Sequence, residues 1–232
     1  MMQQRQRAWD GQQWAGQAGE MIEAFCQTVR KAQPLALDDL PADKTALVVV
    51  DMVNGFVKGG PMSSPRVEAI NSGVAALAQA CGRRGIIRLA LADCHEGNSP
   101  EFAAYPPHCL QGSWEAQLTQ ELAGRVDEVI AKGSTNGAIE PAFARFLQEH
   151  AQLDTFLVVG DCTDICVQQF ALTLKAQFTR ANRFCRVVVA EDLTATFTLP
   201  GHDGDVMQAV ACYMMAAGGV EIVSTVTGLE QA

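Results

Sequence analysis

Five side chains spread along this sequence carry the parts of a nucleophilic reaction. Asp51 follows the apolar run 46–50, and Asp93, with His95 two residues on, follows the run 86–92. Lys132 closes the run 126–131, and Cys166 lies just after the run 156–159, in the first turn of a predicted helix over 165–178. A thiol is a weak nucleophile until it loses its proton. A carboxylate can take that proton and later return it to a leaving group. A lysine cation nearby, together with the N–H groups and dipole of a helix start, favours the thiolate.

Each residue alone has a plain structural explanation. An Asp after a strand can be an N-cap, a lysine can be a solvated surface charge, and a free cysteine is often an inert core thiol. The elements around them supply the argument for reading them together. The runs 46–50, 86–92, 126–131, 156–159, 187–190 and 220–223 are apolar on both faces, as in strands covered on both sides. Helical patterns over 67–81, 141–150, 165–178 and 204–217 lie between them. This alternation predicts an α/β fold, a doubly wound, mostly parallel sheet of about six strands with helices on both faces. Right-handed crossovers bring the carboxyl ends of such strands to one edge, where ligands bind. Asp51, Asp93, His95, Lys132 and Cys166 should therefore converge. Gly82, Gly85, Gly218 and Gly219 fall where helices should end. No Gly-x-Gly-x-x-Gly follows the first strand, which disfavours a dinucleotide site.

Three ordered segments carry a resemblance. Val48-Val49-Val50-Asp51-Met52-Val53-Asn54-Gly55-Phe56, Lys132-Gly133, and Val159-Gly160-Asp161-Cys162-Thr163-Asp164-Ile165-Cys166-Val167 resemble the signatures of isochorismatase-like cysteine hydrolases, over residues 45 to about 225. The resemblance implies a three-layer sandwich with Asp51, Lys132 and Cys166 as catalytic triad. It also implies a cis peptide between Asp161 and Cys162, and an oxyanion hole formed by the backbone N–H groups of Cys162 and Cys166.

A second group narrows the likeness to the nicotinamidase branch. Asp93-Cys94-His95, Glu101 and Pro106-Pro107-His108-Cys109 resemble a site that binds zinc or a similar divalent ion. Asp93, His95 and His108 map onto the ligands, with Glu101 at a fourth position. One carboxylate and two imidazoles would leave coordination positions open to water and substrate, and they suit Zn, with Fe or Mn as alternatives. Cys94 and Cys109 adjoin the ligands as softer alternatives. Phe56 and Tyr105 correspond to aromatic residues that flank a substrate ring in relatives.

The resemblance implies hydrolysis of a small carboxamide, nicotinamide first, through a Cys166 thioester. A ureido or N-carbamoyl hydrolase of the same superfamily, a non-enzymatic binding module and a thiol redox protein using Cys162 and Cys166 are the competing readings. The sequence departs from the nicotinamidase pattern at Tyr105, where Trp is usual, and at Gly55, where Asp is common. It also lacks the Tyr-Ser pair after Lys132-Gly133, and it has a polar Asp161 beside the expected cis bond. His150 reads as a helix-end cation. His202 reads as part of a loop before a helix capped by Asp203.

Composition sets the outer limits. Hydrophobic residues make up 48% and charged residues 19% of 232 residues, which is globular. The net charge of −9 excludes nucleic acid or anionic membrane as the main partner. Eight scattered cysteines in a chain this long do not read as a secreted framework. The first residues have charge but no apolar region after them, unlike a signal peptide. A cytosolic protein with reduced thiols, active as a homo-oligomer as its family often is, is the expectation. Residues 1–44 read as an extension and 45–232 as the hydrolase domain. The extension has one amphipathic stripe (Met21, Ile22, Phe25, Cys26, Val29) that should pack on its own domain or a neighbouring subunit. Residues 38–44 read as a polar linker, and residues 1–15 as loose.

Overall fold

A computed structural model of the chain describes residues 11–230. The elements are α1 (Gly11–Lys31), β1 (Leu35–Ala36), β2 (Thr45–Val50), α2 (Asn54–Val57), α3 (Pro65–Arg83), β3 (Ile87–Asp93), β4 (Glu128–Lys132), α4 (Pro141–Glu149), β5 (Thr155–Asp161), α5 (Gln168–Arg180), β6 (Arg186–Ala195), α6 (Gly204–Ala217), β7 (Glu221–Val223) and β8 (Val226–Thr227). Six strands form one parallel sheet in the order β4-β3-β2-β5-β6-β7. The chain starts at β2, steps outward to β3 and β4, and returns to β5 on the other side. The order therefore reverses between β2 and β5, and the crevice outside that reversal is where a ligand fits.

Strict alternation divides the core into two layers. Leu47, Val49, Leu157, Val159, Val188 and Ala190 face α3. Ala46, Val48, Val50, Phe156, Val158, Val187 and Val189 face α4, α5 and α6. Side chains of successive strand residues point to opposite faces, so an unbroken apolar run fills both layers.

Several expectations are corrected. The predicted linker over 38–44 holds two 3-10 turns, and Leu35, Leu37 and Leu40 are buried. Leu35 and Ala36 pair in parallel with Val226 and Thr227, which ties the end of the extension to the far end of the chain. A two-residue strand has no period to read. The first helix runs from Gly11, well before the stripe, and the stripe is split. Phe25 rests on Tyr213 of α6 with ring centroids 4.8 Å apart, and Val29 joins the core, whereas Met21 and Ile22 are exposed. The expectation for residues 1–10 lies outside the described residues. Gly82 is inside α3, where a Cβ would stand 2.3 Å from the Arg88 guanidinium; the helix ends beyond it, at Arg84 and Gly85. The run 187–190 is only part of β6, because the strand bulges after it and resumes at Thr194 opposite Gly160.

Candidate active site

The carboxyl ends of β2, β3, β4 and β5 bring the predicted residues together. Asp51 ends its strand in the left-handed region, at φ 55°, a conformation Asp tolerates better than most residues. Its N–H is held by the Leu91 carbonyl of β3. Gly160, at φ +115°, passes so close to β2 that a Cβ would sit 2.0 Å from the Val50 carbonyl oxygen. Only glycine lets β5 come this near the strand that carries Asp51.

Lys132 is the hub. Its ammonium is 1% exposed, lies 2.8 Å from Asp51 Oδ2 and 2.7 Å from Asp93 Oδ1, donates to the Ser134 carbonyl, and stands 3.7 Å from Cys166 Sγ. Burial opposes its charge, but Asp51, Cys166 and Asp93 outweigh it and hold the lysine protonated. Burial pushes the Asp51 carboxyl up to about 6 against the pull of Lys132, so it is ionised at neutral pH. Its charge in turn helps to raise the Cys166 thiol.

Cys166 differs from expectation. It lies in a π-helical turn, residues 163–167, that leads into α5, and not in the first turn of that helix. Burial, with Asp51 and Asp93 adding to it, pushes the thiol well above its ordinary value despite Lys132. At rest Cys166 is a protonated thiol beside the Asp51 carboxylate, not a preformed thiolate. The peptide between Asp161 and Cys162 is cis. The Cys162 sulfur faces Asp161 Oδ1 at 3.6 Å, whereas the Cys166 sulfur faces Lys132.

The second group forms one cluster with the first. Donor atoms of Asp93, His95, Glu101 and His108 all lie within 4.8 Å of one another. Asp93 Oδ2 is 2.8 Å from His95 Nε2 and 2.9 Å from His108 Nε2, and Glu101 Oε1 is 3.7 Å from His95 Nε2. His108 Nδ1 donates to the Pro106 carbonyl at 2.8 Å. That bond leaves its Nε2 lone pair directed into the cluster, as a metal-binding histidine needs. Three buried donors plus a less buried Glu101 fit a divalent ion with an open side. Burial works against the charge of Asp93, but Lys132, His108 and His95 hold its carboxyl well below the usual range. Cys94 and Cys109 are outside the cluster. Cys109 Sγ turns to the Glu115 carbonyl, in the place a Cβ on residue 55 would need, which accounts for Gly55.

Cys166, Asp93, His108 and Glu101 open into one pocket, together with Phe56, Tyr105, Asp161 and Cys162. Its free space is tight, about 20 Å³. Met62, Thr135 and Ile165 also line it. Sequence reasoning placed the segment holding Thr135 at the pocket as a departure from the nicotinamidase pattern, but it did not single out Ile165, which sits within the cysteine motif, or Met62, which carries no signal. It also missed that Asp93 serves both clusters, one oxygen toward the lysine and the other toward the histidines. His202 accepts no place in the pocket wall; it stacks on Phe197 and bonds Asp164 at 2.8 Å. Asp203 caps α6 as expected.

The model of the isochorismatase domain matches residues 45–225. The chain belongs to the isochorismatase family. Nicotinamidase 1 of Arabidopsis thaliana is 31% identical over 230 residues, covering 86% of this chain and 92% of the relative. Among solved structures, PnC1 from L. infantum in complex with nicotinate superposes with a TM-score of 0.67 at 27% identity, covering 81% of this chain and 97% of the other. N-carbamoylsarcosine amidase from Thermoplasma acidophilum gives 0.63 at 26% identity, covering 82% and 98%.

Proposed function

We propose that this family member is an amide hydrolase that cleaves nicotinamide to nicotinate and ammonia through a thioester on Cys166. The observation that carries the reading is the single buried network from Cys166 through Lys132 and Asp93 to His95 and His108, opening into one pocket. The likeness to a nicotinamidase over most of both chains supports the substrate.

The chain's own residues account for each proton. As Cys166 Sγ attacks the amide carbon, Asp51 takes the thiol proton. The carbonyl oxygen gains negative charge, which the N–H groups of Cys162 and Cys166 receive. Asp51 then delivers the proton to the amide nitrogen, the C–N bond breaks, and ammonia leaves. Asp51 next removes a proton from water as it attacks the thioester, and the proton returns to the departing thiolate. Lys132 keeps Asp51 ionised between these transfers and lowers the energy of each anion on sulfur. Phe56 and Tyr105 flank the ring. Asp93, His95, His108 and Glu101 would hold a divalent ion, Zn in preference to Fe or Mn, which when bound supplies a Lewis-acid contact for a ring nitrogen or water.

The chemistry belongs to residues 45–232, since each residue assigned a role lies between 51 and 166, and residues 1–44 form an extension. The same reading takes the enzyme as a cytosolic homo-oligomer. The eight free cysteines and the exposed Met21, Ile22, Tyr213 and Met214 along α1 and α6 support it. Among the described residues no helix is long and apolar enough to cross a membrane.

Ammonia release measured on nicotinamide, pyrazinamide and N-carbamoylsarcosine, with and without a chelator, tests the reading. Nicotinamide should be turned over and chelation should slow it. Preferred turnover of the carbamoyl compound, indifferent to chelator, would overturn it.

A further inference from the structure

Asp161 ends β5 in the pocket wall and is 1% exposed. Its Oδ1 lies 3.6 Å from the Cys162 sulfur, and its Oδ2 has no hydrogen-bond partner. The lysine of the site does not serve it, because Lys132 is engaged by Asp51 and Asp93. A buried polar oxygen without a partner is destabilising, and an apolar side chain here would avoid that cost, as Val159 and Ile165 do nearby. Something that enters the pocket should therefore satisfy the oxygen. Burial, then the charge of Asp51, push the Asp161 carboxyl well above its usual range, so it adds no negative charge beside the base; with the acid proton on Oδ1, against the Cys162 sulfur, Oδ2 is the carbonyl oxygen and an acceptor. The charged neighbours that act on it most are Asp51, Lys132 and Asp93. Asp161 lines the same pocket as Cys166, where a carboxamide would meet the thiol.

We propose that Asp161 is a specificity-determining residue whose unpartnered carboxyl oxygen accepts an N–H of the substrate carboxamide, selecting primary amides over esters of the same acid. The proposal rests on the amidase reading above. A methyl ester has no N–H to offer and would leave the oxygen buried and unpaired. Sites built around a substrate hydrogen bond reject the analogue that lacks it.

The test compares kcat/KM for nicotinamide with that for methyl nicotinate in the wild type and in Asp161→Val, Asp161→Ala and Asp161→Asn. Val and Ala should lower the amide-to-ester ratio about five- to tenfold, the size of one hydrogen bond. Asn keeps an acceptor oxygen and should stay within about threefold of the wild type. Val should also melt at or above the wild-type temperature, whereas loss of a merely structural side chain would lower the melting temperature and slow both substrates alike. An unchanged ratio in Val or Ala, or an equal fall in Asn, would overturn the proposal. Turnover of benzamide and methyl benzoate without turnover of nicotinamide would refute the choice of ring, while the benzoyl pair still decides Asp161. Absence of any amide turnover by the wild type would refute both.

Discussion

The amino and carboxyl sides of the sheet follow opposite rules around its central strands. Toward their amino ends, Ala46, Leu47 and Val48 of β2, Phe156 and Leu157 of β5, and Val187 and Val188 of β6 are buried, apolar and laddered to their neighbours. At the carboxyl ends, Asp51, Asp93, Lys132 and Asp161 are just as buried but ionisable, and Asp51 has a positive φ. The first end is what packing and hydrogen bonding favour. The second holds charges that a protein interior tolerates only when paired. A protein keeps such a cluster where the chemistry requires it, and stability and activity should therefore separate along the strands.

The largest expected effect is on activity alone. Cys166→Ala should lower turnover about 10⁴-fold or more, while its melting temperature stays within about 4 °C of the wild type; ammonia assay and calorimetry on one preparation check both. Lys132→Met should break the separation, because the lysine both faces Cys166 and pairs two buried carboxylates. It removes the only cation touching Asp51 and Asp93 among the contacts described above, so denaturant unfolding should show a loss of about 3–5 kcal/mol along with lost turnover. Leu47→Ala should do the reverse of Cys166→Ala. It should cost about 3 kcal/mol in stability and leave kcat per folded molecule unchanged.

The remaining effects are smaller. Asp51 must be ionised to take the thiol proton, and burial raises its carboxyl to about 6. The pH profile of kcat/KM should therefore fall tenfold per unit below about pH 6, and a profile flat down to pH 4 would contradict that role. At the exposed end of α1, Met21→Ser and Ile22→Ser should change monomer stability by less than about 0.5 kcal/mol, which urea unfolding can resolve.

Much of this was legible in the sequence for specific reasons. The β-branched run before Asp51 and the runs before Asp93 and Lys132 mark strands by length and composition alone, and their closing polar residues mark the strand ends. Cys166, Asp93, His95 and His108 were legible because their motifs keep order and spacing. The protonated state of Cys166 was not, because burial is a property of the folded site, and a helix-start argument counts only the favourable term. Nor was the double role of Asp93, since which oxygen faces which partner depends on how β3 and β4 align. The pairing of Leu35 with Val226 joins residues nearly the whole chain apart through strands too short to show alternation. Asp161 stood out as a polar residue in an apolar setting, but only the unpartnered Oδ2 shows what that polarity offers.

The central claim is that Cys166 becomes acylated during amide cleavage. Acid quench of wild-type enzyme mixed with excess nicotinamide, followed by peptide mass spectrometry, tests it most directly. The account predicts a nicotinoyl group on the peptide carrying Cys166, lost on standing without substrate and missing from Cys166→Ala. Steady turnover with no acyl adduct, or an adduct confined to another cysteine, would contradict it.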